Sequence, residues 1–252
     1  MAARSPLPER QVDATRRAAA AEARWRTFQI AAANRYPARD RARIEQRVDN
    51  LLAKGTWPSR ALFLTRSGLW RPGLKMGLGV AQTRAAGLLA YVRAGADPAV
   101  QPKALFDQAW YLAANPEVAE KGWPPLVHYL LEGDREGASP HPLFDVQGYR
   151  SRHAVKLAAS RQTTLQHFLF SGAREGFDPH PLFDLRFYVG QCAEVARTGE
   201  NPLIHYLRKG WREGFDPHPL FSGKRYLERN PQAAGGGVPP LLHFVTLGAL
   251  GA

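Results

Sequence analysis

From residue 105 onward the hydrophobic and polar positions repeat with a long period and, inside each period, with helical spacing. Leu-Phe-Asp at 105–107 returns at 143–145 and 182–184, and as Leu220-Phe221-Ser222. A second apolar anchor, Leu126 to Leu130, returns at Leu165 to Leu169, Leu203 to Leu207 and Leu241 to Val245. Phe106, Phe144, Phe183 and Phe221 are 38, 39 and 38 residues apart; His128, His167, His205 and His243 are 39, 38 and 38 apart. Two anchors holding one period define four copies of one supersecondary unit.

Each copy predicts its own elements. Asp107, Asp145, Asp184 and Ser222 suit the N-cap of a helix, where a side-chain oxygen accepts from the free N–H groups of the first turn. The Phe before each cap and Tyr111, Tyr149, Tyr188 and Tyr226 after it have the spacing of a hydrophobic staple. A later helix opens at Pro125, Thr164, Pro202 or Pro240; proline fits a first position whose N–H has no partner in any case. Leu126, Tyr129 and Leu130 then share one face. Gly133, Gly172, Gly210 and Gly248 read as left-handed stops, and Asn115-Pro116 and Asn230-Pro231 mark a short helix or turn in between. Helices this short bury their apolar faces by stacking on neighbours. The fold class is therefore all-α: a basic helical N-terminal region, 1–95, then a four-unit, α-solenoid-like array, 96–252. The units are 102–140 (unit 1), 141–179 (unit 2), 180–217 (unit 3) and 218–252 (unit 4, incomplete by its motif).

Upstream, Ala14, Ala18, Ala21, Trp25, Phe28 and Ala32 alternate spacings of four and three, a seam for helix packing. Ile44, Val48 and Leu51 continue the pattern up to Gly55. Gly68, Pro72, Gly73 and Gly77 interrupt it, and Leu78 to Arg93 forms a further amphipathic stretch.

Charge separates the two parts. The chain has 252 residues, 34 Lys+Arg and 22 Asp+Glu, a net +12. Residues 1–100 hold 18 basic and 7 acidic side chains, and the remainder 16 and 15. The excess surrounds the N-terminal seams at Arg16, Arg17, Arg24, Arg26, Arg39, Arg41, Arg43 and Arg47, the candidate polyanion-binding residues. Four readings fit them: a solvated helical face, attachment to an anionic membrane surface, nucleic-acid binding and an acidic protein partner. No apolar h-region opens the chain, and Lys75, Gln82 and Arg84 interrupt the apolar run Gly73–Val92, so neither a secretory signal nor a membrane span is expected.

Enzymatic signatures are sparse. Neither phosphate-binding glycine motif, G-x-S-x-G nor H-E-x-x-H is present, and Gly77-Leu78-Gly79 lacks the third glycine of a dinucleotide fingerprint. No catalytic residue, cofactor or metal site is assigned. The periodic histidines sit too far apart to share one ion. They are expected at contacts between units, donating to backbone carbonyls, the alternative being pairs with the loop histidines His141, His180 and His218. The Arg-Glu-Gly turns at 135–137, 174–176 and 212–214 fit ion pairs at solvated corners or an anionic sugar. The Trp and Tyr positions fit core packing or sugar stacking. Cys192, alone in the chain, is read as structural.

The unit running Leu105-Phe106-Asp107, Trp110-Tyr111-Leu112, Asn115-Pro116-Glu117-Val118-Ala119, Pro125-Leu126-Val127-His128-Tyr129-Leu130, Gly133 and Arg135-Glu136-Gly137 resembles a known one. It is similar to the LFDxxWYLxxNPDVAxxGxxPLxHYLxxGxxEGRxPHPLFD repeat of bacterial surface-polysaccharide proteins, which accompanies glycosyltransferase domains as an accessory region. The resemblance covers about residues 102–252 and implies a non-catalytic scaffold or interaction module in polysaccharide assembly. A polysaccharide-assembly or other protein partner follows from it, as does a cytoplasmic place at the inner face of the membrane. Two alternatives stand beside it: a glycosyltransferase-related enzyme or fragment, and a basic nucleic-acid- or anionic-lipid-binding protein.

Overall fold

The computed structural model describes residues 49–69, 88, 91–99, 105–160 and 162–250. Among these it is mostly helical: no strand occurs, and isolated β-bridges join His180 to Phe183 and His218 to Phe221.

The same order of elements recurs four times. A first helix runs over Gln108–Ala114, Val146–Arg152, Leu185–Gln191 or Gly223–Arg229. Asp107, Asp145, Asp184 and Ser222 cap it as expected, each accepting from the N–H three residues on, at 3.0, 2.9, 2.9 and 3.5 Å. The staple forms too: the Phe and Tyr ring centroids lie 5.1, 5.4, 5.3 and 5.6 Å apart. A short second helix follows, Pro116–Glu120, Ala154–Ser160, Ala193–Thr198 or Pro231–Gly235. The third begins at Pro125, Thr164, Pro202 or Pro240.

The third helix departs from the expected course at its glycine. Gly133 has φ −56° and ψ −38° and continues the helix; Gly172 and Gly210 also lie outside the left-handed region. In units 1 to 3 the α-helical turn widens into a π turn, Tyr129–Gly133, Phe168–Gly172 and Tyr206–Gly210. The left-handed stop comes four residues later, at the glycine of Arg-Glu-Gly: Gly137, Gly176 and Gly214 have φ 84°, 77° and 86°. The bonds there are those of a Schellman motif: Ala138, Phe177 and Phe215 N–H reach back to the carbonyls of Gly133, Gly172 and Gly210 at 2.8, 2.9 and 3.0 Å. The sequence motif held two glycines, and only the second needs the conformation that glycine tolerates best.

The end of each of the first three units closes over its start. Asp107, Asp145 and Asp184 donate their backbone N–H to the carbonyls of Pro140, Pro179 and Pro217 at 2.8, 2.9 and 3.0 Å. The core is a continuous row of Phe, Tyr and Leu, with Phe106, Phe144, Phe183, Tyr111, Tyr149 and Tyr188 fully buried.

The N-terminal segment joins this core through a helix that the sequence pattern did not single out, Trp57–Arg66. Thr56 and Pro58 are its start signals. Leu64 and Leu69 are buried, Arg60 donates to the carbonyls of Leu51 and Leu52 at 3.0 and 2.5 Å, and the Ser67 carbonyl accepts from Gln166 of unit 2 at 2.7 Å.

Candidate functional site

The chemistry-bearing side chains of the units converge on one recurring pair. Tyr111, Tyr149, Tyr188 and Tyr226 place their hydroxyls 2.8, 2.8, 2.7 and 2.7 Å from Nδ1 of His128, His167, His205 and His243. The first helix supplies the tyrosine and the third supplies the histidine, so the bond lies inside one unit. This corrects two expectations. The helix histidines meet a tyrosine hydroxyl and not a backbone carbonyl between units, because the staple already carries the tyrosine to the third helix. The loop histidines serve elsewhere: Nδ1 of His141, His180 and His218 accepts the N–H two residues on, at 3.0, 3.1 and 3.1 Å.

The misread glycine has its reason here. A Cβ at Gly133, Gly172 or Gly210 would fall far inside contact distance of the Tyr111, Tyr149 or Tyr188 hydroxyl. Glycine is thus required by close approach and not by a turn. Nothing in the spacing alone distinguished the two, although the five-residue interval from histidine to glycine was visible.

Burial sets the electrostatics. Desolvation pushes the His128 imidazole down to about 4 and lowers His167 and His205; it raises the phenols of Tyr111, Tyr149 and Tyr188. In units 1 to 3 the pairs are therefore neutral hydrogen bonds at physiological pH. In unit 3 the far side of the imidazole, Nε2, lies 3.9 Å from the Cys192 sulfur, 3.9 Å from Glu213 and 4.0 Å from Glu194. Cys192 stands where units 1 and 4 have Asn115 and Asn230, whose amides return to the Tyr111 and Tyr226 carbonyls at 2.7 and 2.8 Å. No group of three or more metal-ligating side chains occurs among the described residues. His205 and Tyr188 are wholly buried, whereas the Tyr226–His243 bond of unit 4 is part-buried.

A second set of polar bonds runs between successive units. The Tyr91 hydroxyl accepts the Leu126 N–H at 2.8 Å. Tyr206 does the same for Leu241 at 3.2 Å. Tyr129 lies 3.1 Å from the Thr164 hydroxyl and 2.9 Å from the Asp134 carboxylate. Asp134, buried, further takes the Thr164 N–H at 2.8 Å and pairs with Arg150 at 2.6 Å. Where the series has Phe168, the next unit caps itself: the Asn201 side chain accepts from Leu203 and Ile204 at 3.1 and 3.2 Å. Pro124 and Pro239, at the cap position of the helices that use Tyr91 and Tyr206, have no side-chain oxygen. Tyr91 lies 38 residues before Tyr129, so the lateral pattern begins inside the segment assigned to the N-terminal region.

Exposed charges are turned onto the protein. Lys209 pairs with Glu194 and Glu213 at 2.6 and 3.3 Å, and Lys156 with Glu175 at 3.2 Å. Arg174 and Arg212 of the Arg-Glu-Gly turns donate to the carbonyls of Phe170 and Arg208 at 2.7 and 3.2 Å. A cleft of about 470 Å³ lies between Trp57–Arg66 and units 1 and 2, lined by Leu51, Leu62, Phe63, Arg66, Leu130 and Gln166 among others. Arg93 stacks 4.7 Å above the Trp57 ring nearby.

Arg16, Arg17, Arg24, Arg26, Arg39, Arg41, Arg43 and Arg47 lie outside the described residues. No described helix is long and apolar enough to cross a membrane. Comparison with family models, with curated proteins and with solved structures yields no match.

Proposed function

We propose that this protein is a non-catalytic scaffold of bacterial surface-polysaccharide assembly. Four stacked helical units form an α-solenoid-like array. The basic N-terminal region, through Arg16, Arg17, Arg24, Arg26, Arg39, Arg41, Arg43 and Arg47, holds it at the anionic inner face of the membrane. One observation carries the scaffold reading. The tyrosines, histidines and caps that recur in every unit hydrogen-bond to one another and to the backbone, mostly out of contact with solvent. Residues that recur to complete a fold support a platform more than a reaction centre. The link to polysaccharide rests on the repeat motif at 105–137 and its likeness to surface-polysaccharide proteins.

Deleting the coding sequence from its host tests the reading. Cell-surface polysaccharide should fall and return on complementation, while glycosyl transfer measured in extracts stays at the parental level. Unchanged polysaccharide refutes the assignment, and transferase activity of the purified chain refutes the non-catalytic part. Membrane attachment is tested separately by co-sedimentation with anionic and neutral vesicles. Arg16, Arg17, Arg24 and Arg26 replaced by Gln should cut the anionic-vesicle fraction, since each surface basic residue contributes about 1 kcal/mol.

A further inference from the structure

Where the first helix of unit 3 gives way to the second, two metal-ligating side chains face each other. Cys192 takes the place of Asn115 and Asn230, and its sulfur lies 3.9 Å from Nε2 of His205 on the third helix. Both residues are buried, at 2% and 0% exposure. The Tyr188 hydroxyl occupies the Nδ1 side of the ring, at 2.7 Å. Among the described residues no oxygen hydrogen-bonds to Nε2: Glu213 and Glu194 stand off at 3.9 and 4.0 Å. Sulfur at 3.9 Å is itself beyond an ordinary hydrogen bond. A buried ring nitrogen, of a kind that folded chains normally pair, thus looks across a narrow gap at a thiol. In unit 2 the corresponding residue, His153, is used differently, its ring stacked 4.0 Å from that of Phe177.

We propose that Cys192 and His205 bind a soft monovalent cation, Cu+, between Sγ and Nε2. Geometry selects the ion. Bonds of about 2.3 Å to sulfur and about 2.0 Å to nitrogen hold the two atoms about 3.5 Å apart in a tetrahedral site. The observed 3.9 Å is wider. It suits an ion with its two ligands nearly opposite, as Cu+ and Ag+ prefer, and thiolate is the soft ligand that selects them. Charge agrees, since a thiolate and a monovalent cation together bury no net charge. The cation replaces the thiol proton, which leaves to water. Glu213 and Glu194 give the path: their side chains are 41% and 45% exposed, yet both carboxylates come within 4.0 Å of Nε2. Lys209, 2.6 Å from Glu194 and 3.3 Å from Glu213, ties the two together. With the Nδ1 proton donated to the Tyr188 oxygen, Nε2 keeps its lone pair for the metal and the ring is held in orientation. The inference is independent of the polysaccharide assignment.

Anaerobic titration of the reduced full chain with Cu+, in competition with a coloured Cu+ chelator, tests the site, and X-ray absorption of the loaded chain identifies the ligands. One Cu+ per chain is expected, bound to one sulfur and to the nitrogen of an imidazole ring. Cys192→Asn, which installs the residue of units 1 and 4, and Cys192→Ala should each lose the bound ion at an unchanged circular-dichroism spectrum. Ag+, the redox-stable probe of the same class, should raise the melting temperature of the parent and not of Cys192→Asn, because a ligand of the folded state stabilises it. The absorption spectrum needs no variant and stands even if a substitution disturbs folding. Absence of binding, a shell of sulfur alone, which means an ion shared between chains, or Cu+ retained by either folded cysteine variant would each overturn the proposal.

Discussion

Replacing Gly210 by Ala tests the close approach of glycine and tyrosine found in units 1 to 3. The position is helical, so helix propensity alone favours Ala by about 1 kcal/mol. Against this, the new Cβ would overlap the Tyr188 hydroxyl and lie 2.9 Å from His205 Nδ1. Tyr188 and His205 are wholly buried and neither can swing into solvent. Relief must break their 2.7 Å hydrogen bond, costing about 1–3 kcal/mol for the buried groups left unpaired. Displacing packed side chains costs about 1–3 kcal/mol more. The overlap outweighs the propensity, and a net loss of about 2–4 kcal/mol is expected in urea unfolding followed by circular dichroism. The discriminating step is the cycle with Tyr188→Phe. That change alone should cost about 1–3 kcal/mol by leaving His205 without its partner. The double variant, in which the overlapping oxygen is gone, should then be no less stable than Gly210→Ala alone, a departure from additivity of about 1.5 kcal/mol or more. Additive losses, or a Gly210→Ala chain as stable as the parent, would refute the reasoning.

Two further outcomes follow from the lateral bonds and the buried imidazoles. Asn201→Ala should lower stability by about 1–2 kcal/mol, and Phe168→Tyr added to it should recover part of that loss by supplying the hydroxyl that serves the other joints; a thermal melt without recovery counts against the exchange. Acid should destabilise the chain through its histidines. Burial holds His128 and His141 down to about 4 in the folded state, against about 6.5 unfolded. The unfolded chain therefore takes up protons first, and stability falls as pH drops through about 6.5 toward 4, by up to about 3 kcal/mol per histidine. A flat profile of unfolding free energy over that window would contradict it.

The caps and staples were legible because each depends on residues at most five apart, with side-chain types that suit few other jobs. The glycines were half legible. Both Gly133 and Gly137 follow the apolar stripe of the third helix, and only the third dimension shows that a tyrosine from the unit's first helix stands over Gly133. The Tyr–His pairs were hidden for the same reason: their members are 17 or 18 residues apart, and the histidine lies off the leucine stripe that marks the buried face. Helix Trp57–Arg66 was missed because Trp57, Leu62 and the half-buried Phe63 do not form a clean stripe. The candidate arginines were named from charge alone, a property that places residues on a surface without fixing their geometry.

The replacement of tyrosine by phenylalanine at Phe168, between Tyr129 and Tyr206, restricts how such a chain could gain or lose units. Excising residues 141–179 would bring Tyr129 against the Asn201-capped helix, a junction with one acceptor to spare. Excising 180–217 would instead bring Phe168 against the helix that begins after Pro239, and the Leu241 N–H would lose its acceptor. The two deletions remove nearly equal lengths of homologous sequence and yet leave unequal seams. Copies that look interchangeable along the chain thus differ at their seams: the first turn of a third helix is met by a tyrosine hydroxyl that accepts its N–H, by its own cap residue, or, in unit 2, by the Thr163 cap beside Tyr129.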